Sequence, residues 1–76
     1  MHYYLINVLG KNGYSFMVAT KENNDERVNN GDYDDIISKA YDKGLFADAD
    51  DAECCTITVA DETEQKFFGE YTAIDC

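Results

Sequence analysis

The sequence predicts a small α+β fold: a mostly antiparallel four-stranded sheet with one helix packed on one face, in the order strand, strand, helix, strand, strand (ββαββ). Three observations predict it. Segments rich in β-branched and aromatic residues alternate with a two-residue period in both halves of the chain. One central segment has the 3.6-residue period of a helix, and the total of 76 residues suits a single domain, 1–76, with a small core.

The first strand is expected over Tyr3 to Leu9. Tyr4, Ile6 and Val8 share one face, and Tyr3, Leu5 and Leu9 make the other face apolar as well, which is the pattern of a central strand. Asn12-Gly13 offers a tight two-residue hairpin turn, and Tyr14 to Thr20 forms the return strand. Its weaker alternation (Tyr14, Phe16 and Val18 against Ser15, Met17 and Ala19) suits an edge or half-exposed position. Lys21 to Gly31 is polar and Asn-rich, with Val28 its one strongly apolar residue, and reads as a connecting loop with room for one helical turn.

The helix follows from Tyr33, Ile36, Ile37, Ala40 and Tyr41 at i, i+3, i+4, i+7 and i+8. Asp32 is placed to cap its start with Asp35 three residues on, and Gly44 to supply a left-handed C-cap over which Leu45 folds back. Ala47 to Glu53 is either a loop or a single turn capped by Asp48. Cys55, Ile57 and Val59 alternate with Cys54, Thr56 and Thr58 as a third strand, which the helical crossover can lay beside the first. Asp61 to Lys66 reads as a polar turn, and Phe67 to Ile74 as a fourth strand, with a short helix as the alternative.

Charge is the strongest functional signal. Between Lys43 and Lys66 stand seven carboxylates (Asp48, Asp50, Asp51, Glu53, Asp61, Glu62, Glu64) and no base. The segment from Asp32 to Glu64 holds −9 of the formal −10 charge. Asp32, Asp34 and Asp35 at a helix start, Lys43 at its end and an Asp35–Lys39 pair have helical explanations. The seven have no base within their segment to pair them. They flank a strand, so their two clusters would lie on the order of 20 to 25 Å apart, a span that fits a positively charged groove.

This pattern excludes several function classes. Carboxylates repel phosphate, so neither direct nucleic-acid binding nor an anionic membrane surface is expected. No apolar run approaches the ~20 residues of a membrane span, the first ten residues lack a secretory signal, and three cysteines do not form matched pairs. Reduced thiols and a cytosolic location are expected. Catalysis is not: His2 is the one imidazole, no glycine-rich phosphate loop exists, and no cofactor is implied.

A calcium loop starting at Asp48 would need Gly and Glu where Glu53 and Val59 stand. Zinc would need His2, Cys54, Cys55 and Cys76 to converge, although Cys54 and Cys55, adjacent in a strand, point to opposite faces. No metal site is expected.

In size, acidity and lack of catalytic residues the chain resembles, by composition, the small phage or mobile-element proteins that block host defence, such as anti-CRISPR and anti-restriction inhibitors, several of which are DNA mimics. That resemblance implies a non-enzymatic inhibitor whose Asp48, Asp50, Asp51, Glu53, Asp61, Glu62 and Glu64 occupy the basic surface of a nucleic-acid-binding protein or complex. Any Tyr left beside these acids would serve as an interface anchor. The alternative is a protein-interaction or subunit module that adds an edge strand such as Tyr14 to Thr20 to a partner's sheet, with the acids serving solubility.

Overall fold

The strand with two apolar faces lies inside the sheet. In the computed structural model, which describes residues 1–10 and 13–76, β1 (His2–Val8) pairs antiparallel with β2 (Ser15–Thr20) on one side and with β3 (Cys55–Val59) on the other. Tyr4 stands opposite Val18 and Val59, and Ile6 opposite Phe16 and Ile57, so these residues share one face. The hairpin closes with the Val8 N–H donating to the Tyr14 carbonyl at 2.8 Å. The Asn12 half of the expected Asn12-Gly13 turn lies outside the described residues.

The sheet is α+β as expected but mixed, in the order β3-β1-β2-β4. β4 (Thr72–Ala73) is only two residues long and runs parallel to β2, Thr72 opposite Val18 and Ala73 opposite Ala19. This corrects two expectations. The fourth strand does not extend over Phe67 to Ile74, and the second half of Tyr14 to Thr20 is neither edge nor half-exposed: β4 pairs with it at Val18 and Ala19 and Met17 to Thr20 are buried, while Tyr14 to Phe16 stay exposed or half-buried.

Among the described residues four helices stand beside the sheet where one full helix and at most two single turns were expected: α1 (Asp25–Asn29), α2 (Asp34–Asp42), α3 (Ala49–Glu53) and α4 (Glu62–Phe68). Together with the parallel strand they break the simple ββαββ order. The Asn-rich loop contains α1 because its polar groups find partners. Asn24 is buried, its backbone N–H donates to the Tyr4 hydroxyl, its Nδ2 donates to Thr20 Oγ1, and its Oδ1 accepts from Arg27. Val28 fills the adjoining core.

α2 buries Ile36 and Ala40 of the expected stripe and half-buries Tyr33 and Ile37. It ends as anticipated. Gly44 is left-handed at φ +76°, and the Leu45 and Gly44 N–H groups return to the carbonyls of Ala40 and Tyr41 at 3.1 and 2.9 Å, a Schellman closure. The start differs: Tyr33 occupies the cap position without a side-chain bond, because Asp32 is drawn to Arg27 (3.5 Å) instead.

The expected turn at Asp61 to Lys66 is the start of α4. Asp61 Oδ1 accepts from the Glu64 N–H at 2.8 Å while Glu64 Oε1 accepts from the Asp61 N–H at 3.1 Å, a complete capping box, and Gly69 at φ +66° ends the helix. α4 lies on the far face of the sheet, where Phe68 and Tyr3 pack with Leu5, Met17 and Ala60. α1, α2 and α3 supply Val28, Ile36, Ala40 and Ala52 to the larger core on the opposite face, with Tyr4, Ile6, Val18 and Ile57. Helices therefore cover both faces, which accounts for the two apolar faces of β1. Among the described residues, no helix is long and apolar enough to cross a membrane.

Candidate functional site

The acidic run is held by a tyrosine. Tyr14 precedes β2 and stacks on Phe16, whose ring meets Phe46 edge-on at 5.2 Å. That stack carries the Tyr14 hydroxyl to the start of the acidic segment, where it accepts the Ala47 N–H at 2.7 Å and donates to Asp51 Oδ2 at 2.8 Å. Desolvation pushes the Tyr14 phenol above its ordinary value; the Ala47 N–H opposes the shift and the Asp51 carboxylate adds to it. Asp48 caps α3 as expected, its Oδ1 accepting from the Asp51 N–H at 2.9 Å.

Four of the seven predicted carboxylates thus have structural roles, where the sequence offered one for Asp48 alone. Asp48 and Asp51 fix α3, and Asp61 and Glu64 form the capping box of α4. The other three, Asp50, Glu53 and Glu62, are exposed, and among the described residues their side chains make no hydrogen bond or ion pair. Asp50 and Glu62 sit in first turns, where the helix dipole favours a negative charge.

The two clusters do not share a face. They lie at opposite ends of the five-residue β3, roughly 16 Å long at the usual strand rise. α3 joins the core on the α2 face, and α4 covers the other. A single flat groove does not meet both at once.

The α3 cluster instead meets α2. A shallow, open cleft of about 720 Å³ between the two helices is lined by Tyr33, Asp34, Ile37, Tyr41, Ala52 and Glu53. Tyr41, the last residue of the α2 stripe, remains 47% exposed. This gives the expectation of a tyrosine beside the acids a definite location. Asp34 is the part the sequence reading missed, having been assigned to the helix dipole alone.

Elsewhere, Arg27 gathers the acids of the helix start. It contacts Asp32 and Asp35, and among the described residues these are the only ion pairs. The hydrogen bond from Arg27 holds the Asp35 carboxyl below the usual carboxylate range. The expected Asp35–Lys39 pair is absent from them. All three cysteines are free; burial pushes the Cys55 and Cys76 thiols up, while Cys54 is exposed and, as the C-cap of α3, precedes β3 rather than sharing a strand with Cys55 as expected. No group of three His, Cys, Asp or Glu side chains converges as a metal site among the described residues. A second exposed feature is aromatic: Phe67, 83% exposed at the end of α4, and Tyr71, 50% exposed against Tyr3.

Comparison with family models, with curated proteins and with solved structures found no match to this chain.

Proposed function

We propose that this chain is a non-enzymatic acidic binding protein that occupies the basic surface of a nucleic-acid-binding protein or complex and keeps nucleic acid off it, in the manner of a nucleic-acid mimic. The observation that carries this reading is the fixed display of carboxylates on α3: Tyr14 and the Asp48 cap hold the segment, and Asp50 and Glu53 project from it without a neutralising base. Charges held on a rigid frame need less ordering on contact and steer encounter with a cationic surface. The α4 acids Asp61, Glu62 and Glu64 extend the same field around the other face.

The edge-strand alternative keeps only part of its expected strand, since β4 already pairs with β2 at Val18 and Ala19. That reading would turn instead to β3, a five-residue edge strand on which Thr56 and Thr58 are exposed, or to the two-residue β4 at the other edge.

The test is affinity capture of the tagged chain from a lysate of its host, eluted by a salt gradient and in parallel by competing DNA or RNA. Release of one nucleic-acid-binding protein by both treatments is the expected result. Lysine substitutions at Asp50, Glu53 and Glu62, which have no partners to lose, should weaken capture and flatten its salt dependence. Salt-resistant capture that survives all three would refute the proposal.

A further inference from the structure

The proposed contact with a basic surface leaves open which cationic group the α3 region receives, and the cleft between α2 and α3 has the chemistry to select one. We infer that this cleft takes an arginine side chain of the partner, its guanidinium stacked on Tyr41 beside Tyr33 and paired with Glu53 and Asp34. The inference rests on the reading of the chain as a ligand for a basic surface and specifies one contact of it.

Four observations carry it. The cleft holds about 720 Å³ and among the described residues no Lys or Arg lines it, so a cation from outside meets no competing base there. Tyr41 is 47% exposed and stacks on no other ring among the described residues, which leaves it open to a cation, while Tyr33 packs half-buried against the core beside it. Asp34 and Glu53 are exposed and their side chains have no partner among those residues, so the charge complementarity is to something outside the fold. Ile37 and Ala52 offer apolar contact for an aliphatic stem.

Arginine fits better than lysine for two reasons. Its planar fork can lie against a ring while still presenting N–H groups edgewise to carboxylates, and its weaker hydration lowers the cost of leaving water. Both helices are also fixed in advance, α3 by Tyr14 and the start of α2 by Arg27.

The test is an NMR titration of the intact chain with acetyl-glycyl-arginyl-glycinamide and, separately, its lysyl counterpart. Saturable shifts centred on Tyr33, Ile37, Tyr41, Ala52 and Glu53 are expected, with the arginyl probe tighter. Tyr41→Leu should weaken it about tenfold, whereas Tyr41→Phe keeps the ring and should bind within about twofold of the parent. Thermal melts of both variants confirm that they fold. Shifts spread equally over Asp61 and Glu62, or a Tyr41→Leu variant that binds like the parent, would overturn the inference.

The outcome separates from that of the function itself. A cleft response with no salt-sensitive capture of a basic protein refutes the proposed function and leaves the cleft standing. Salt-sensitive capture that Tyr41→Leu leaves unchanged removes the cleft and leaves the charged surface standing.

Discussion

Replacing Tyr4 with Phe tests whether the polar network under α1 supports the fold. Tyr4 is 0% exposed at the centre of β1; its hydroxyl accepts the Asn24 N–H at 2.7 Å and donates to Asp25 Oδ1 at 2.8 Å. Phe keeps the ring and opens no large cavity, so the effect is confined to those two bonds. Asp25 is half-buried and regains water, but Asn24 is 4% exposed and its N–H is left without a partner. An unsatisfied buried donor costs about 1–3 kcal/mol, and a bond to a charged acceptor contributes about 1.5–3 kcal/mol, partly recovered here by hydration.

A loss of about 2–3 kcal/mol is expected on these grounds. A domain of this length has about 4–11 kcal/mol in all, so the variant forfeits a large share. Urea unfolding followed by circular dichroism measures it, with the midpoint falling at constant m-value. Faster exchange of the Val28 and Asn30 amides would locate the damage in α1. A loss below about 0.5 kcal/mol at constant m-value would refute the reasoning, because it would mean that water already satisfies the Asn24 N–H.

Alkaline pH probes the same contact. Burial first, then the Asp25 carboxylate, raise the Tyr4 phenol above its ordinary value. Its folded value thus exceeds its unfolded one, near 10, so this stability is fully present below about pH 10 and is lost as pH rises through the folded value. The Phe variant lacks that share of the alkaline loss.

Tyr14→Phe should release the acidic segment: the Ala47 amide exchanges faster and salt-sensitive capture weakens while the sheet persists, and an unchanged Ala47 exchange rate would count against the latch. Added NaCl should raise the melting temperature, since it screens the self-repulsion of a −10 chain, and lower partner affinity; a melting temperature indifferent to salt would contradict this. Asp35, depressed by Arg27, contributes stability above its unfolded value that is lost as pH falls through the lower folded one, so Asp35→Asn should flatten that acid limb in pH-dependent melts. A thiol-disulfide reagent should label Cys54 first, with the half-buried, raised thiols of Cys55 and Cys76 lagging; equal rates at all three would contradict their partial burial.

The legible parts of the fold were those whose signal is periodic. β1 announced its central place through two apolar faces, and α2 through a stripe closed by Gly44. α4 was missed although its caps were readable, Asp61-x-x-Glu64 at one end and Gly69 at the other. Its body buries no residue fully and offers only Phe68 as a substantial apolar contact, too little for a helical period. β4 lies within the strand expected over Phe67 to Ile74, but its length and direction were not legible, because two residues cannot alternate and the parallel pairing depends on where α4 delivers the chain. In the site, the carboxylate run was visible, and so was the Asp48 cap. The bonds of Tyr14 to Asp51 and the meeting of Tyr41 with Glu53 join residues distant in sequence, so no local pattern reports them.

The distribution of charge separates what the fold uses from what it merely carries. Asp25, Asp32, Asp35, Asp48, Asp51, Asp61 and Glu64 each cap a helix, accept a buried or half-buried tyrosine, or pair with Arg27. Glu22, Glu26, Asp34, Asp42, Asp50, Glu53, Glu62, Glu70 and Asp75 are exposed, and their side chains hold no partner among the described residues. Those nine account for nearly all of the −10 net charge and add repulsion without a compensating contact. Solubility alone would be served by charges scattered anywhere on the surface. Two of the nine, Asp34 of α2 and Glu53 of α3, line one cleft beside half-buried and exposed tyrosine rings, and Tyr14 and Asp48 hold the segment that carries Glu53. Charge, aromatic surface and rigidity coincide there, and that coincidence gives the α2–α3 cleft the stronger claim than α4 as the centre of the proposed interface.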